Sequence, residues 1–357
     1  MINQSKTQLL KEKFGVDFNH FSIEELFQKY EETGFIYPAK KEILQPHMAK
    51  ISENWRRLKE SKEDLLWYLT CQDEEKGYFS SVTAWRHSNN GMVAQHLISN
   101  GNPFLSLKVM MAAQTRAQFP DYEITSSQNW FRQNNRYAFR VFASMTDRLG
   151  PKTSSLNLFQ YLHLKLEDAS QELGLRYHIE EVIGPDQDLV HLVEDRYGEV
   201  FVKGEELDQD DILLNESTQS FAQYGLSRYR KIYKFMDKDS GKIAACIIAN
   251  RAPLGLNFSF IENRCYFIIS KEVELEYRNE LVMAMARVAK VIYQDLELGV
   301  IPIVTDLFVA AELKEAGAIP IREYMQSIWL KDGFQQWYDH IESFWKKIEG
   351  RLSSKVA

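Results

Sequence analysis

The sequence predicts an α/β chain made of two tandem copies of one unit, each a mixed, mostly antiparallel sheet flanked by helices. Two stretches read alike: Asp73 to Gly77 leads into a strand ending at Trp85 and Arg86, and Asp237 to Gly241 leads into one ending at Asn250 and Arg251. Gly77 and Gly241 stand 164 positions apart, and the strand ends Leu164 and Leu330 stand 166 apart, so the offset is nearly constant. Apolar residues switch between helical spacing and alternation along each half. With 45% apolar and 13% aromatic residues, 357 residues supply two ordinary cores, and 26% charged residues complete a composition that excludes disorder. The boundary is placed at 185/186, giving segments 1–185, with extra N-terminal helices, and 186–357, with a C-terminal amphipathic helix.

The first 60 residues read as helical. Ser22 and Glu25 form a capping box ahead of SIEELFQKYEETG, and Gly34 stops that helix. Phe35 to Tyr37 reads as a short strand closed by Pro38, and Ala39 to Ser61 as an amphipathic helix broken at Pro46. LLWYLTCQ from Leu65 and YFSSVTAW from Tyr78 form a hairpin through DEEKG. Asn89, Asn90 and Gly91 make the next turn, because these residues tolerate the positive φ that tight hairpins need, and Met92 to Ser99 is the third strand. Asn102 caps a helix that starts at Pro103 and runs to about Gln118. A strand near Ile124, a long helix through Arg136, Phe139 and Met145 with its stop at Gly150, and a strand from Leu156 to Leu164 follow. LEDASQELG reads as helix and RYHIEEVI as the last strand of the first lobe.

In the second half, Glu199 to Lys203 reads as a strand and Asp210 to Tyr224 as a helix. Tyr229 to Met236, Lys242 to Ala249 and Leu256 to Ile261 read as three strands, with Cys265 to Ser270 after the turn at Glu262 to Arg264. Arg278 to Leu298 is a helix, Ile301 to Thr305 a strand, Leu307 to Glu315 a helix stopped by Gly317, and Arg322 to Leu330 a strand. The last helix, Phe334 to Arg351, carries an apolar stripe of Trp337, Ile341, Phe344, Trp345 and Ile348. Packing on its own domain is the expected use of that stripe, and capping a homodimer partner is the alternative.

Composition also bounds the function. No apolar run approaches the roughly 18 residues of a membrane span, and the amino terminus lacks the apolar core of a secretory signal, so a cytoplasmic location is expected. Cys71, Cys246 and Cys265 show no metal-ligand spacing and read as buried reduced thiols; no metal is expected. The net charge of −7 disfavours nucleic acid. There is no Walker loop, dinucleotide fingerprint, paired-histidine zinc motif or nucleophile elbow.

The element order (strand, helix, three antiparallel strands, helix, strand, helix, strand) resembles the Gcn5-related acetyltransferase superfamily, the acyl-CoA N-acyltransferase fold. Two copies in one chain resemble its tandem members, such as the peptidoglycan-bridge aminoacyltransferases and the N-myristoyltransferases. The resemblance implies acyl transfer from acyl-CoA, or another activated donor, to a small-molecule or peptide amine. The superfamily's pyrophosphate loop is Gln or Arg, two residues, Gly, any residue, then Gly or Ala. At that place the second half has Lys271 to Arg278, with no glycine and three carboxylates that would repel phosphate. The position of the superfamily's tyrosine acid, four residues before Gly317, is Leu313, and in the first half, four before Gly150, it is Thr146.

The equivalent loop of the first half, Ser99 to Pro103, is neutral and opens onto a helix N-terminus, which makes Asn100, Gly101 and Asn102 candidates to hold the donor's phosphates. An ordinary helix cap is the alternative. His96 is the candidate base that deprotonates the amine, since an imidazole titrates near neutrality, and His87 is the second choice. A histidine satisfied inside a half-polar sheet is the plain alternative. Arg132, Arg136 and Arg140 recur every four residues and form one basic stripe if residues 126–140 are helical, so Arg132 and Arg136 are candidates for a charged group of donor or acceptor. Asn250, Arg251, Asn257, Ser259 and Arg264 put a second polar set on strands, which pairs internally or meets a ligand. Two rival functions remain beside acyl transfer: a non-catalytic binding protein on the same fold, and aminoacyl transfer from transfer RNA.

Overall fold

The computed structural model describes residues 4–119, 122–166 and 176–356. The helix expected over LEDASQELG therefore lies outside the described residues. In the first half, α1 (Gln4–Phe14), β1 (Asp17–Phe18), α2 (Ile23–Glu32), α3 (Pro38–Leu44) and α4 (Met48–Lys59) precede β2 (Leu66–Asp73), β3 (Tyr78–Arg86) and β4 (Gly91–Asn100). Next come α5 (Pro103–Ala117), β5 (Ser126–Phe131), a broken helical segment of α6 (Arg136–Ala138), a π-turn (Phe139–Ala143) and α7 (Ser144–Leu149), and then β6 (Ser154–Lys165). The second half has β7 (Tyr177–Val182), α8 (Gln187–Tyr197), α9 (Glu199–Gly204), α10 (Asn215–Ala222), β8 (Tyr229–Asp237), β9 (Ile243–Arg251) and β10 (Cys265–Ile269). It closes with α11 (Leu275–Tyr293), β11 (Val300–Thr305), α12 (Ala310–Glu315), β12 (Ile319–Leu330) and α13 (Phe334–Val356).

The expected fold class is the one observed, and the duplication is visible in the pairing. β1 to β4 are antiparallel neighbours and β5 runs parallel to β4; β7 to β10 are antiparallel neighbours and β11 runs parallel to β10. Each repeat thus has the order strand, helices, three antiparallel strands, helix, strand, helix, strand. β7 pairs with β8 as β1 pairs with β2, so RYHIEEVI opens the second repeat and does not close the first.

The chain divides into two compact units that cut across the repeats. Unit 1 comprises Met1–Asn129, Arg140–Ser154 and Ile328–Ala357, and unit 2 comprises Trp130–Phe139 and Ser155–Ser327. Unit 1 has the strand order β1-β2-β3-β4-β5, with β5 as far as Asn129, and unit 2 has β12-β6-β11-β10-β9-β8-β7, with β12 as far as Ser327. β6, the last strand of the first repeat, pairs antiparallel with β11 within unit 2. The C-terminal helix packs both on Trp329 of β12, 5.4 Å from Trp337, and on helices of the first half of the sequence. In unit 1 the Trp345 ring of α13 lies 4.4 Å from Phe104 of α5, and Arg148 of α7 contacts His340 of α13 at 2.8 Å.

Local chemistry explains most boundaries. Ser22 and Glu25 form the expected capping box, Pro46 breaks the helical run through a 3-10 turn, and Gly150 ends α7 at φ 78°. Gly77 and Gly241 sit at positive φ in the two matching hairpins. Four expectations fail. Phe35 to Tyr37 is a bend, because Tyr37 already serves as N-cap of α3. Residues 126–131 form a fully buried strand where helical arginine spacing suggested a stripe. Glu199 to Lys203 is helical, its Val-Phe-Val run buried whole on α9. Leu256 to Ile261 is loop and 3-10 turn, so β10 is the third antiparallel strand.

The two faces of the unit 2 sheet differ. One face joins Leu162, Leu164, Phe267, Ile301 and Ile303 to the apolar side of α11 in a continuous hydrophobic core. The other carries Arg230, Arg264, Tyr266, Gln326 and Tyr161, which meet Glu205 and the loop at Ser259. No helix among the described residues is long and apolar enough to cross a membrane.

Candidate functional site

In unit 1 the strands that should frame a donor site separate. β4 pairs with β5 only from Gly91 with Ser126 to Val93 with Gln128, while β4 itself runs on to Asn100. Past Val93 the edge of β4 that faced β5 leaves the ladder. A bulge in the same stretch shifts the register between Ser81 and Thr83, and His96 occupies it at φ 51°. A non-glycine residue at positive φ is uncommon, histidine being among the types that adopt it more often, and bulges are sites where it occurs.

His96 does not present an accessible base. It is 6% exposed and stacks on Trp55 at 5.6 Å, with Tyr30, Phe35 and Trp85 closing the other sides. Burial, with Lys40 adding to it, holds the imidazole well below its usual range, so it stays neutral. Its place is that of a wall of the bulge. His87 is fully buried in the Asn89 turn, where its backbone N–H donates to the Gly91 carbonyl, at the far end of β4 from Asn100.

The loop from Ser99 to Pro103 spends its polar groups on itself. The Asn102 side chain accepts the Phe104 N–H at 2.9 Å and caps α5, as expected. Asn100 accepts the Phe79 N–H at 2.6 Å and so staples the loop to the preceding hairpin. Gly101 sits at φ 74° with the Tyr78 ring so close that a Cβ would overlap it. That ring occupies the space into which a side chain at position 101 would project. Gly101→Ala is expected to cost about 1–2 kcal/mol from positive φ and a displaced Tyr78, measured by urea unfolding; an unchanged midpoint would show that the loop relaxes freely.

The arginine stripe does not form. Arg132 follows β5 in a turn, where its carbonyl accepts the Asn135 N–H, and Arg136 is the first residue of α6. Both side chains are exposed in unit 2, and the helical stretch between Asn135 and Gly150 contains a π-turn that spoils four-residue spacing. The Lys271 to Arg278 segment is largely exposed; Arg278 donates to the Val273 carbonyl at 3.1 Å, and Glu274 precedes α11 without a side-chain cap.

Sequence reasoning missed the densest polar group of unit 2. Glu205 accepts from Arg264 at 2.9 Å, Arg230 at 3.1 Å, Tyr266 at 3.1 Å and Gln326 at 3.3 Å. The side chains of Glu205, Arg230 and Arg264 are 0% exposed. Arg230 also donates to the carbonyls of Glu205 and Ile212 and to Asn250, and Arg228 and Arg264 share Glu262. Arg264 of the second polar set therefore pairs internally. Also missed were Tyr161 and His163, two residues apart on β6 and hence on one face, joined at 3.0 Å. A period-two reading of FQYLHLK would have found them. No group of histidine, cysteine, aspartate or glutamate side chains that would hold a metal occurs among the described residues.

No family model matches the chain, and no curated protein matches it. Solved structures do. A protein of Drosophila is 13% identical, over 86% of this chain and 95% of that one, with a TM-score of 0.42. A tandem GNAT protein from the clavulanic acid biosynthesis pathway is 10% identical, over 78% and 87%, with a TM-score of 0.38. N-myristoyltransferase of Saccharomyces cerevisiae, with bound myristoyl-CoA and inhibitors, is 10% identical, over 88% and 80%, with a TM-score of 0.35. None of these likenesses bears on which residues of this chain act or on what.

Proposed function

We propose that the chain transfers an acyl group from acyl-CoA or a related activated donor to an amine. The observation that supports this reading is the departure of β4 from β5 after Val93, together with the left-handed bulge at His96. An open strand edge offers peptide donors and acceptors in a row, and an extended ligand arm with amide groups matches that row as an added strand would. The pantetheine arm of coenzyme A is such a ligand. With Asn100, Asn102 and Gly101 already engaged, the arm and not the phosphates carries the affinity in this proposal, and His96 shapes the bulge.

Thermal unfolding of the full chain tests this. A ligand at a hundred times its Kd stabilises by about 2.7 kcal/mol, which raises the midpoint by roughly 5–10 °C for domains of this size. Acetyl-CoA, a long-chain acyl-CoA and S-acetylpantetheine are expected to raise it, and adenosine 3′,5′-bisphosphate is not. No rise with any acyl thioester sinks the proposal. The second reading, a binding protein without chemistry, draws support from Tyr78 over Gly101 and from Thr146 and Leu313 where a tyrosine acid would stand. Release of coenzyme A in the presence of amines, followed with a thiol reagent, separates the two.

A further inference from the structure

We infer that the two repeats have parted in role: the chain takes up one donor, along the free edge of β4, and the matching edge of β10 is sealed by the Thr305 hydroxyl. In each repeat the parallel pair is where a strand edge can open. In the first repeat, pairing of β4 with β5 stops at Val93 and Gln128 while β4 continues to Asn100. Along that continuation Ala94, Gln95, Leu97 and Asn100 are half-buried and Ser99 is exposed, so solvent reaches the strand. In the second repeat, pairing of β10 with β11 stops at Tyr266 and Val304, and β10 ends at Ile269.

In the second repeat the next rung is made by a side chain. A further backbone pair with β11 would give the Phe267 carbonyl an N–H donor. That carbonyl receives the Thr305 hydroxyl instead, at 2.8 Å. Thr305, Phe267 and Ile269 are 0% exposed and Ile268 is 1% exposed. Phe267 and Ile269 lie in the apolar core with Leu281 and Met285 of α11. A ligand arm that pairs with a strand edge needs uncovered backbone groups. On β10 they are covered, and the first acceptor is taken. An arm entering there would have to replace the hydroxyl's bond before it gained one, because a buried carbonyl stripped of its donor costs free energy.

Charge points the same way. α5, which follows β4, has no acidic residue in its first turn, whereas α11, which follows β10, has Glu274 as its N-cap residue and Glu276 in its first turn. Carboxylates at the positive end of a helix offset its dipole and repel the phosphates of a nucleotide donor.

The count of donors rests on the transferase reading, whereas the seal on β10 is a property of the unliganded chain. Amide hydrogen exchange of the full chain, read by mass spectrometry, is expected to run about tenfold faster or more over residues 94–100 than over residues 267–269. Isothermal titration with acetyl-CoA and with a long-chain acyl-CoA is expected to give one equivalent per chain, and the bound donor to slow exchange over residues 94–100 alone. Both readouts use the unaltered chain. Thr305→Val is expected to speed exchange over residues 267–269 several-fold, and Thr305→Ser, which keeps the hydroxyl, to leave it near that of the unaltered chain. Two equivalents per chain, donor protection over residues 267–269, or exchange there that Thr305→Val does not change overturns the inference. Equal exchange on the two strands overturns the seal whatever binds. No binding, with the exchange contrast and the Thr305 effect intact, sinks the transferase reading and the donor count and leaves β10 sealed.

Discussion

Glu205→Gln is expected to lower the unfolding free energy by roughly 3–5 kcal/mol, since removing one member of a buried charge network strands the others. The amide keeps the shape of the side chain, loses its charge and turns one of the two accepting oxygens into a donor that faces the donors already there. Arg230 and Arg264, both 0% exposed at the side chain, would then face each other's field without the carboxylate that both now contact. Gln326 and Tyr266 donate to the same oxygen as Arg264, so their hydrogen bonds weaken with it. The magnitude does not mean that the network adds this much to stability, because the same ions had to be taken out of water. Replacing the whole set with apolar residues of similar volume, Glu205→Leu with Arg230→Met and Arg264→Met, is accordingly expected to cost less than the single change. Urea unfolding of the three chains decides it. A loss below about 1 kcal/mol for the single variant would mean that water or backbone groups replace the carboxylate.

The fold was legible where local chemistry and period agree. Gly77 and Gly241 mark hairpins on their own, and the strands beside them begin and end within a residue or two of their expected bounds, the third strand of the second set excepted. Legibility failed where burial is complete. β5 is buried on both faces and has no alternation to show, which left the four-residue spacing of arginines as the only periodic signal, and that signal was accidental. The Val-Phe-Val of α9 was read as strand because a helix buried on most sides loses its polar stripe. Long-range pairs were out of reach for another reason. Glu205 lies 59 positions from Arg264 and 121 from Gln326, and nothing in either neighbourhood announces the other. The candidate site fared likewise: Asn102 as a cap is a local property and was found, whereas Tyr78 on Gly101 comes from the neighbouring strand.

Acid is expected to weaken the chain through its neutral histidines. In the unfolded chain an imidazole titrates near 6.5. Burial pushes His163 down to about 4, with Arg322 adding to the shift. Burial also lowers His96, beside Lys40, and His340, beside Arg148 and Lys347. As pH falls the unfolded state therefore takes up protons first, and stability that is whole above about pH 6.5 is lost down to the folded value. For His163 that window runs from 6.5 to about 4 and spans about 3 kcal/mol at 1.36 kcal/mol per unit. His340 acts within unit 1, where its Nδ1 accepts from Arg148 at 2.8 Å; a protonated ring loses that bond and repels the guanidinium, which loosens α13 from α7. Urea unfolding of the unaltered chain at pH 7 and pH 4.5 is expected to show the decline, and His163→Gln is expected to show a shallower one. The slope against pH is the decisive quantity, because the substitution also changes packing by an amount that is the same at both values. Parallel declines in the two chains would mean that His163 takes up its proton in the folded state as readily as in water.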